Sequence, residues 1–158
     1  MSAKSIEEVL REKKIHQIAE SKLVQASPSI SVKHAVELMR TNKSGYVAIT
    51  ERGKILGLFT EKDVVNKVMG ESVSWDAPAL ESMTPCPVSL TPEDSVYNAV
   101  ETMSREGLYH IPLTGPDGNL SGVLSVRMII RFLAAFYPAE VYNLPPNIHQ
   151  IMTTPEGG

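Results

Sequence analysis

Cysteine is nearly missing from this 158-residue chain, in which Cys86 stands alone. One thiol builds neither a disulfide framework nor a thiolate metal site within a chain. Its place between Pro85 and Pro87, far from any histidine in sequence, reads as structural or incidental. Long apolar runs are missing as well. The apolar stretches are broken by Arg or Gly well short of the roughly 20 residues a membrane-spanning helix needs, and the first eight residues lack the apolar run of a secretory leader. These absences lead to the expectation of a cytoplasmic protein without a membrane span. Nor is positive charge in excess: 15 Lys and Arg against 18 Asp and Glu leave a formal net charge of −3. A duplex nucleic-acid partner would require clustered cations on one face. The one dense basic stretch, residues 11–14, follows Glu7 and Glu8 and reads as a solvated helix face.

Catalytic signatures are also lacking. His16, His34, His110 and His149 are scattered, and the chain has no His-Glu-x-x-His zinc pattern, no Gly-x-Ser-x-Gly elbow and no Gly-rich phosphate loop. Asp63 with His110 is a conceivable acid–base pair, but no nucleophile or metal motif accompanies them. The expectation is a protein that is not an enzyme, with no catalytic residue and no metal.

What the chain does contain is an internal repeat. A shift of 64 positions places Pro28 on Pro92, Val32 on Val96, Ala35 on Ala99, Val36 on Val100, Met39 on Met103 and Thr50 on Thr114; after one inserted residue a shift of 65 places Gly53 on Gly118, Gly57 on Gly122 and Thr60 on Ser125. Repeats are sought first because they decide the architecture. A lone unit of about 60 residues buries only about 60% of its unfolded surface, so two halves gain by sharing a core. A composition of 42% hydrophobic and 21% charged residues fits such a folded domain.

Each copy reads as β-α-β-β-α. Extended residues 23–26 and 88–90 end at Ser27-Pro28 and Thr91-Pro92, a hydroxyl cap followed by Pro at the expected first helical position. The following helices carry Val32, Ala35, Val36 and Met39, or Val96, Ala99, Val100 and Met103, at three- and four-residue spacing. Two strands then meet at a tight turn, residues 51–54 or Pro116-Asp117-Gly118-Asn119, and a closing helix begins at Thr60 or Ser125. The divisions expected are an N-terminal helical extension (1–21), repeat 1 (22–76), repeat 2 (77–140) and a C-terminal tail (141–158).

Three segments carry a resemblance to a known family: Gly57-Leu58-Phe59-Thr60-Glu61-Lys62-Asp63, Met83-Thr84-Pro85-Cys86-Pro87-Val88-Ser89-Leu90 and His110-Ile111-Pro112-Leu113. With the repeat order they make residues 20–137 similar to a tandem pair of cystathionine-β-synthase (CBS) domains, a Bateman module. The resemblance implies an α/β (α+β) fold, a pseudo-two-fold pair whose sheets meet and leave two clefts for adenosine-containing regulatory ligands: AMP, ADP, ATP or S-adenosylmethionine. It also implies a homodimer, for which Ile129, Ile130, Leu133 and Phe136 on the last helix are apolar candidates, and a regulated protein in another chain. A ligand-free scaffold or dimerisation module of the same fold is the alternative.

The candidate ligand residues follow from chemistry and resemblance together. A helix start offers amide donors and a positive dipole end to phosphate, with the Thr60 hydroxyl beside it, and Asp63 can accept both ribose hydroxyls. The same Thr-x-x-Asp pattern also describes a capped helix start, and both readings stand. In the second copy Ser125 keeps the hydroxyl but Met128 replaces the carboxylate, and a thioether is a weak acceptor. Unequal clefts are therefore expected, with Arg127 facing phosphate, an acidic partner or solvent. From the family, Tyr109 and His110 should reach the first cleft, His110 meeting phosphate partly as a cation, since its unperturbed pKa lies near 6.5. Gly45 and Tyr46 are their counterparts at the second, and Val88 and Ile111 would wall in a base. Asp63→Ala is expected to weaken ribose-bearing ligands and leave the fold intact. Finally, Ile15-His16-Gln17-Ile18 returns as Ile148-His149-Gln150-Ile151, and Met152-Thr153-Thr154-Pro155 is similar to Met83-Thr84-Pro85. Recurrences this short arise by chance; the other reading is that the end is packed or exchanged between subunits.

Overall fold

The repeated order of helix, two strands and helix is present in both copies of a computed structural model that describes residues 4–20, 22–85 and 88–136, while the first strand expected in the second copy is reduced to a single bridge at Leu90. Cys86 and the tail lie outside these residues. A short helix α1, Ile6–Glu12, comes first. Its start is a reciprocal cap, the Ser5 hydroxyl accepting from Glu8 N–H at 3.1 Å and the Glu8 carboxylate accepting from Ser5 N–H at 3.2 Å. Repeat 1 then contributes β1 (Gln25–Ala26), α2 (Val32–Asn42), β2 (Tyr46–Glu51), β3 (Lys54–Thr60) and α3 (Glu61–Asp63), which runs on as a π-helical stretch, Val64–Met69. The connection supplies a further strand, β4 (Thr84–Pro85). Repeat 2 follows with α4 (Val96–Glu106), β5 (His110–Thr114), β6 (Leu120–Ser125) and α5 (Val126–Phe136).

The first sheet runs β1-β2-β3-β4, with β1 parallel to β2 and the other neighbours antiparallel. The second pairs β5 with β6, and Leu90 bridges to Leu113 in parallel, as β1 does to β2. Irregularities in the ladders fall at matched places, between Ile49 and Thr50 and between Leu113 and Thr114. Arg52 (φ 53°) and Gly53 (φ 83°) form a two-residue hairpin turn with both φ values positive, the geometry that suits the right-handed strand twist.

Helix starts differ from the expectation by four residues. The N-caps of α2 and α4 are Ser31 and Ser95, whose hydroxyls accept from His34 N–H and Asn98 N–H. Ser27-Pro28 and Thr91-Pro92 instead open preceding turns, closed by Ile30 N–H to Ser27 O and Asp94 N–H to Thr91 O. Proline's fixed φ suits the second position of such a turn as well as a first helical turn, and the nearer hydroxyl decides between them.

Two apolar clusters result. Val32, Ala35 and Met39 pack on Val47, Ile49 and Phe59 in the first; Val96, Ala99 and Met103 pack on Ile111, Leu113 and Leu124 in the second. Full burial of the Val, Ile, Leu, Met or Phe side chains among them contributes about 1.5–3 kcal/mol each. Val123 of β6 lies in the first cluster, so the halves share a core. The hairpin tips meet too, with Leu120 N–H donating to Gly53 O at 2.9 Å.

The segments leading into the repeats are exchanged. Residues 77–79 dock on the start of α2, Val32 N–H donating to Ala77 O (2.8 Å) and Ala79 N–H to Ile30 O (2.9 Å). Residues 13–15 dock on the start of α4 by the same bonds, Val96 N–H to Lys13 O (2.8 Å) and Ile15 N–H to Asp94 O (2.9 Å). Both segments continue as a 3-10 turn, Ala79–Glu81 and Ile15–Gln17. Each therefore precedes one repeat in sequence and covers the other in space.

Candidate functional site

Two clefts open between the repeats, and both are built from strand ends and helix starts. The first, about 310 Å³, is lined by Thr60, Asp63, Asn66 and Lys67 from the β3–α3 corner and by Thr84 and Val88 from the connection. Tyr109, His110 and Pro112 of repeat 2 close its far side. This volume lies at the lower end of small-molecule sites. The second, about 170 Å³, is lined by Lys22, Val24, Gly45, Tyr46, Ser125, Arg127, Met128 and Arg131. Glu61, Tyr109 and His110 line both.

Asp63 anchors the first cleft. Although charged, it is only 2% exposed, and a buried carboxylate must be paired and hydrogen-bonded. Its Oδ2 accepts from Thr60 N–H at 2.9 Å and from the Thr60 hydroxyl at 3.1 Å; its Oδ1 accepts from the Thr84 hydroxyl at 2.8 Å and pairs with Lys67 Nζ at 3.2 Å. Asp63 N–H donates back to Thr60 Oγ1 at 3.4 Å. Thr60 and Asp63 therefore form a reciprocal cap, extended by Thr84 and Lys67 into a network that ties α3 to β4. Asp63→Ala would remove an acceptor from all of these donors, so a cost in stability is expected alongside any loss of ligand.

The start of α3 has less free donor capacity than a bare helix end. Glu61 N–H donates to Gly45 O at 3.1 Å, and Asp63 N–H is held by Thr60. The second copy repeats the first contact, Val126 N–H donating to Tyr109 O at 2.9 Å, and keeps the hydroxyl cap, Met128 N–H to Ser125 Oγ at 3.3 Å. With Met128 it has no carboxylate at this position. Where the first cleft has Asn66 and Thr84, the second has Arg131 and Glu20, paired at 3.0 Å.

Tyr46 and His110, equivalent under the repeat, face each other with ring centroids 5.5 Å apart. Gly45 lies beside them: a Cβ there would lie 2.6 Å from Glu61 Oε1 and 3.3 Å from His110 Nε2, so a larger residue would make the Glu61 side chain swing aside. Burial, with a smaller contribution from the charge of Arg127, lowers the His110 pKa to about 4. The imidazole is neutral at neutral pH, which corrects the expectation of a partly cationic group. Tyr109 is 63% exposed at the cleft mouth. Ile111 does not line either cleft: it is 0% exposed and belongs to the second core. Alternation along β5 is the reason, since His110 and Pro112 turn to the cleft and the residue between them turns away; Pro112 takes the walling position.

Sequence reasoning missed Lys67 and Thr84 as partners of Asp63. Lys67 was signalled by its place one helical turn beyond Asp63, whereas Thr84 comes from 21 residues away through a strand pairing that local pattern does not disclose. Among the described residues there is no group of three or more His, Cys, Asp or Glu placed to hold a metal, and no helix is long and apolar enough to cross a membrane.

These features define a class, a pseudo-symmetric tandem α/β repeat with two unequal clefts between its halves. The CBS domain family model matches residues 13–70 and again 79–135. The chain belongs to the CBS domain family and carries the domain twice. Among relatives, an uncharacterized 17.7 kDa protein of Acidianus ambivalens is 28% identical over 121 residues, 76% of this chain and 73% of that one. A CBS domain-containing protein of Arabidopsis thaliana is 30% identical over 110 residues, 69% of this chain but only 20% of that protein's length. Among solved structures, a CBS domain protein from Pyrobaculum aerophilum complexed with AMP has a TM-score of 0.68 at 21% identity, over 73% of this chain and 88% of that one. A CBS domain pair in complex with 5′-methylthioadenosine and S-adenosyl-L-methionine has a TM-score of 0.71 at 18% identity, over 77% and 99%.

Proposed function

We propose that the chain is a regulatory module, not an enzyme, that binds an adenosine-containing ligand in the first cleft and through it controls a partner protein. The carrying observation is the cleft itself: the Thr60–Asp63 corner of one repeat faces Tyr109, His110 and Pro112 of the other, with Val88 of the connection beside them, across about 310 Å³. In this reading ribose hydroxyls donate to Asp63, replacing the Thr84 hydroxyl or the Lys67 ammonium, and a base lies against Val88 and Pro112. Tyr109 orders over the mouth, and His110 offers a neutral ring nitrogen. The AMP, 5′-methylthioadenosine and S-adenosylmethionine held by CBS neighbours support this ligand class. A ligand touching both repeats favours one packing of the pair over another, and only such differential affinity shifts a conformational equilibrium.

Titration of AMP, ADP, ATP, 5′-methylthioadenosine and S-adenosylmethionine against protein freed of co-purified ligand tests the proposal. A ligand at a hundred times its Kd adds about 2.7 kcal/mol, raising Tm by roughly 5–10 °C at this size. Asp63→Asn should cut that shift sharply, because its amide nitrogen cannot accept a ribose hydroxyl proton. The competing reading, a scaffold without ligand, draws on the four bonds Asp63 already makes within the chain. It predicts no shift with any of the five compounds.

Homodimerisation belongs to the same proposal. Val65 and Met69 on the π-helical stretch and Ile130 on α5 are exposed, and Val65 and Ile130 are equivalent under the repeat. Of the other candidates, Ile129 is buried in the second core and Leu133 packs against it, while the side chain of Phe136 lies outside the described residues. Light scattering of the purified chain measures the assembly directly.

A further inference from the structure

We propose, on the reading of the first cleft as an adenosine site, that Glu61 makes that cleft selective for ligands whose 5′ substituent is an uncharged thioether or a sulfonium rather than a phosphate. A phosphate at this corner needs donors, and those nearest are committed. The Thr60 N–H and hydroxyl both donate to Asp63 Oδ2, Asp63 N–H donates to Thr60 Oγ1, and Glu61 N–H donates to Gly45 O. Because α3 is α-helical for three residues before the π-helical stretch begins, it presents neither a full row of free amides nor a long summed dipole. Lys67 is held by Asp63 Oδ1 at 3.2 Å and reaches Met83 O at 3.5 Å. His110, kept neutral by burial, adds no positive charge.

With a base against Val88 and Pro112 and ribose on Asp63, the polar wall left for the 5′ substituent holds Glu61, Lys62, Asn66, Tyr109 and His110. Glu61 Oε1 and His110 Nε2 come within 2.6 and 3.3 Å of one point, the place of a Cβ on Gly45. The carboxylate therefore lies at the seam of the two repeats, in the wall that both clefts share. It has no hydrogen-bond or ion-pair partner among the described residues, so its charge stands unneutralised by direct contact. A phosphate brought beside it meets like-charge repulsion, a thioether meets none, and a sulfonium is attracted. Repulsion of the wrong ligand is how a site separates compounds that share most of their atoms.

The charges lining the two clefts divide in the same sense. Lys62 and Lys67 face Glu61 and Asp63 in the first, whereas Lys22, Lys43, Arg127 and Arg131 outnumber Glu20 and Glu61 in the second. The excess of cations thus lies on the far side of Glu61 from the Asp63 corner. Lys62 is the one cation of the first cleft not held by a carboxylate, and it is exposed, with Glu61 next to it in sequence. Size agrees with charge. A cleft of about 310 Å³, at the lower end of small-molecule sites, suits a nucleoside with a short substituent better than one with a chain of phosphates.

Calorimetric titration of the full chain, freed of co-purified ligand, with 5′-methylthioadenosine and with AMP tests the selectivity; the first-cleft phase is the one lost in Asp63→Asn. In that phase 5′-methylthioadenosine should bind about tenfold or more tighter than AMP, and in Glu61→Gln, an exposed position, AMP should tighten so that the gap narrows by about tenfold. Raising the ionic strength from about 0.01 M to about 1 M, which shortens the Debye length from about 30 Å to about 3 Å, should narrow the gap in wild type and leave it unchanged in Glu61→Gln. AMP binding as tightly as 5′-methylthioadenosine in wild type, a gap unchanged by Glu61→Gln, or a wild-type gap indifferent to salt overturns the role of Glu61 and leaves the cleft an adenosine site. Absence of any Asp63-dependent phase with either compound overturns the adenosine site itself, and the selectivity falls with it.

Discussion

At the scale of single residues, His110 and Asp63 carry most of the chemistry. His110 has a pKa near 4 in the folded chain against an ordinary 6.5, so the unfolded chain binds a proton that the folded one refuses. The associated stability is fully present above pH 6.5 and is lost as the pH falls from there through 4. At about 1.4 kcal/mol per pH unit the loss reaches up to about 3 kcal/mol. His110→Gln should flatten the pH dependence of Tm in that window relative to wild type, whatever the carboxylates contribute to both. Asp63→Ala should cost about 1–3 kcal/mol by denaturant unfolding, from the lost cap and the buried donors left without an acceptor. Thr60 and Asp63 were legible as a pair from their spacing, since a hydroxyl followed three positions on by a carboxylate is the pattern of a reciprocally capped helix start. The neutrality of His110 was not legible, because it depends on burial across the repeat interface. Ile111 was misjudged because a strand's two faces separate only once the register is known.

At the scale of elements, glycine shows how the copies diverge. Gly57 and Gly122 match in sequence, but only Gly57 has a strand pressed against it, β4 with Met83 and Thr84. Gly57→Ala should therefore cost about 1–3 kcal/mol, as overpacking does, and should weaken ligand in the first cleft by displacing Thr84. Gly122→Ala should stay within about 0.5 kcal/mol of wild type. Unfolding midpoints of the two variants, measured side by side, check the contrast. The repeat and its helices were readable because their apolar periodicities recur in register. The caps at Ser31 and Ser95 were read four residues early because hydroxyl-proline pairs suit turns and helix starts alike. The docking of residues 13–18 on α4 could not be read locally at all, since its partner lies about 80 residues downstream.

At the scale of the whole molecule, duplication set the architecture and later divergence made it unequal. The first cleft has the volume and the carboxylate; the second has Met128 and an internal Arg131–Glu20 pair. Ligand titration should accordingly saturate the first cleft at the lowest concentrations, with Asp63→Asn abolishing that phase by calorimetry.

The exchanged lead-in segments also mean that the two halves are clasped by more than the covalent thread between them. A single protease cut at residues 72–74 would leave one fragment holding α4 through residues 13–18 and the other holding α2 through residues 77–82. The nicked protein should elute as one species from a sizing column and separate only in denaturant.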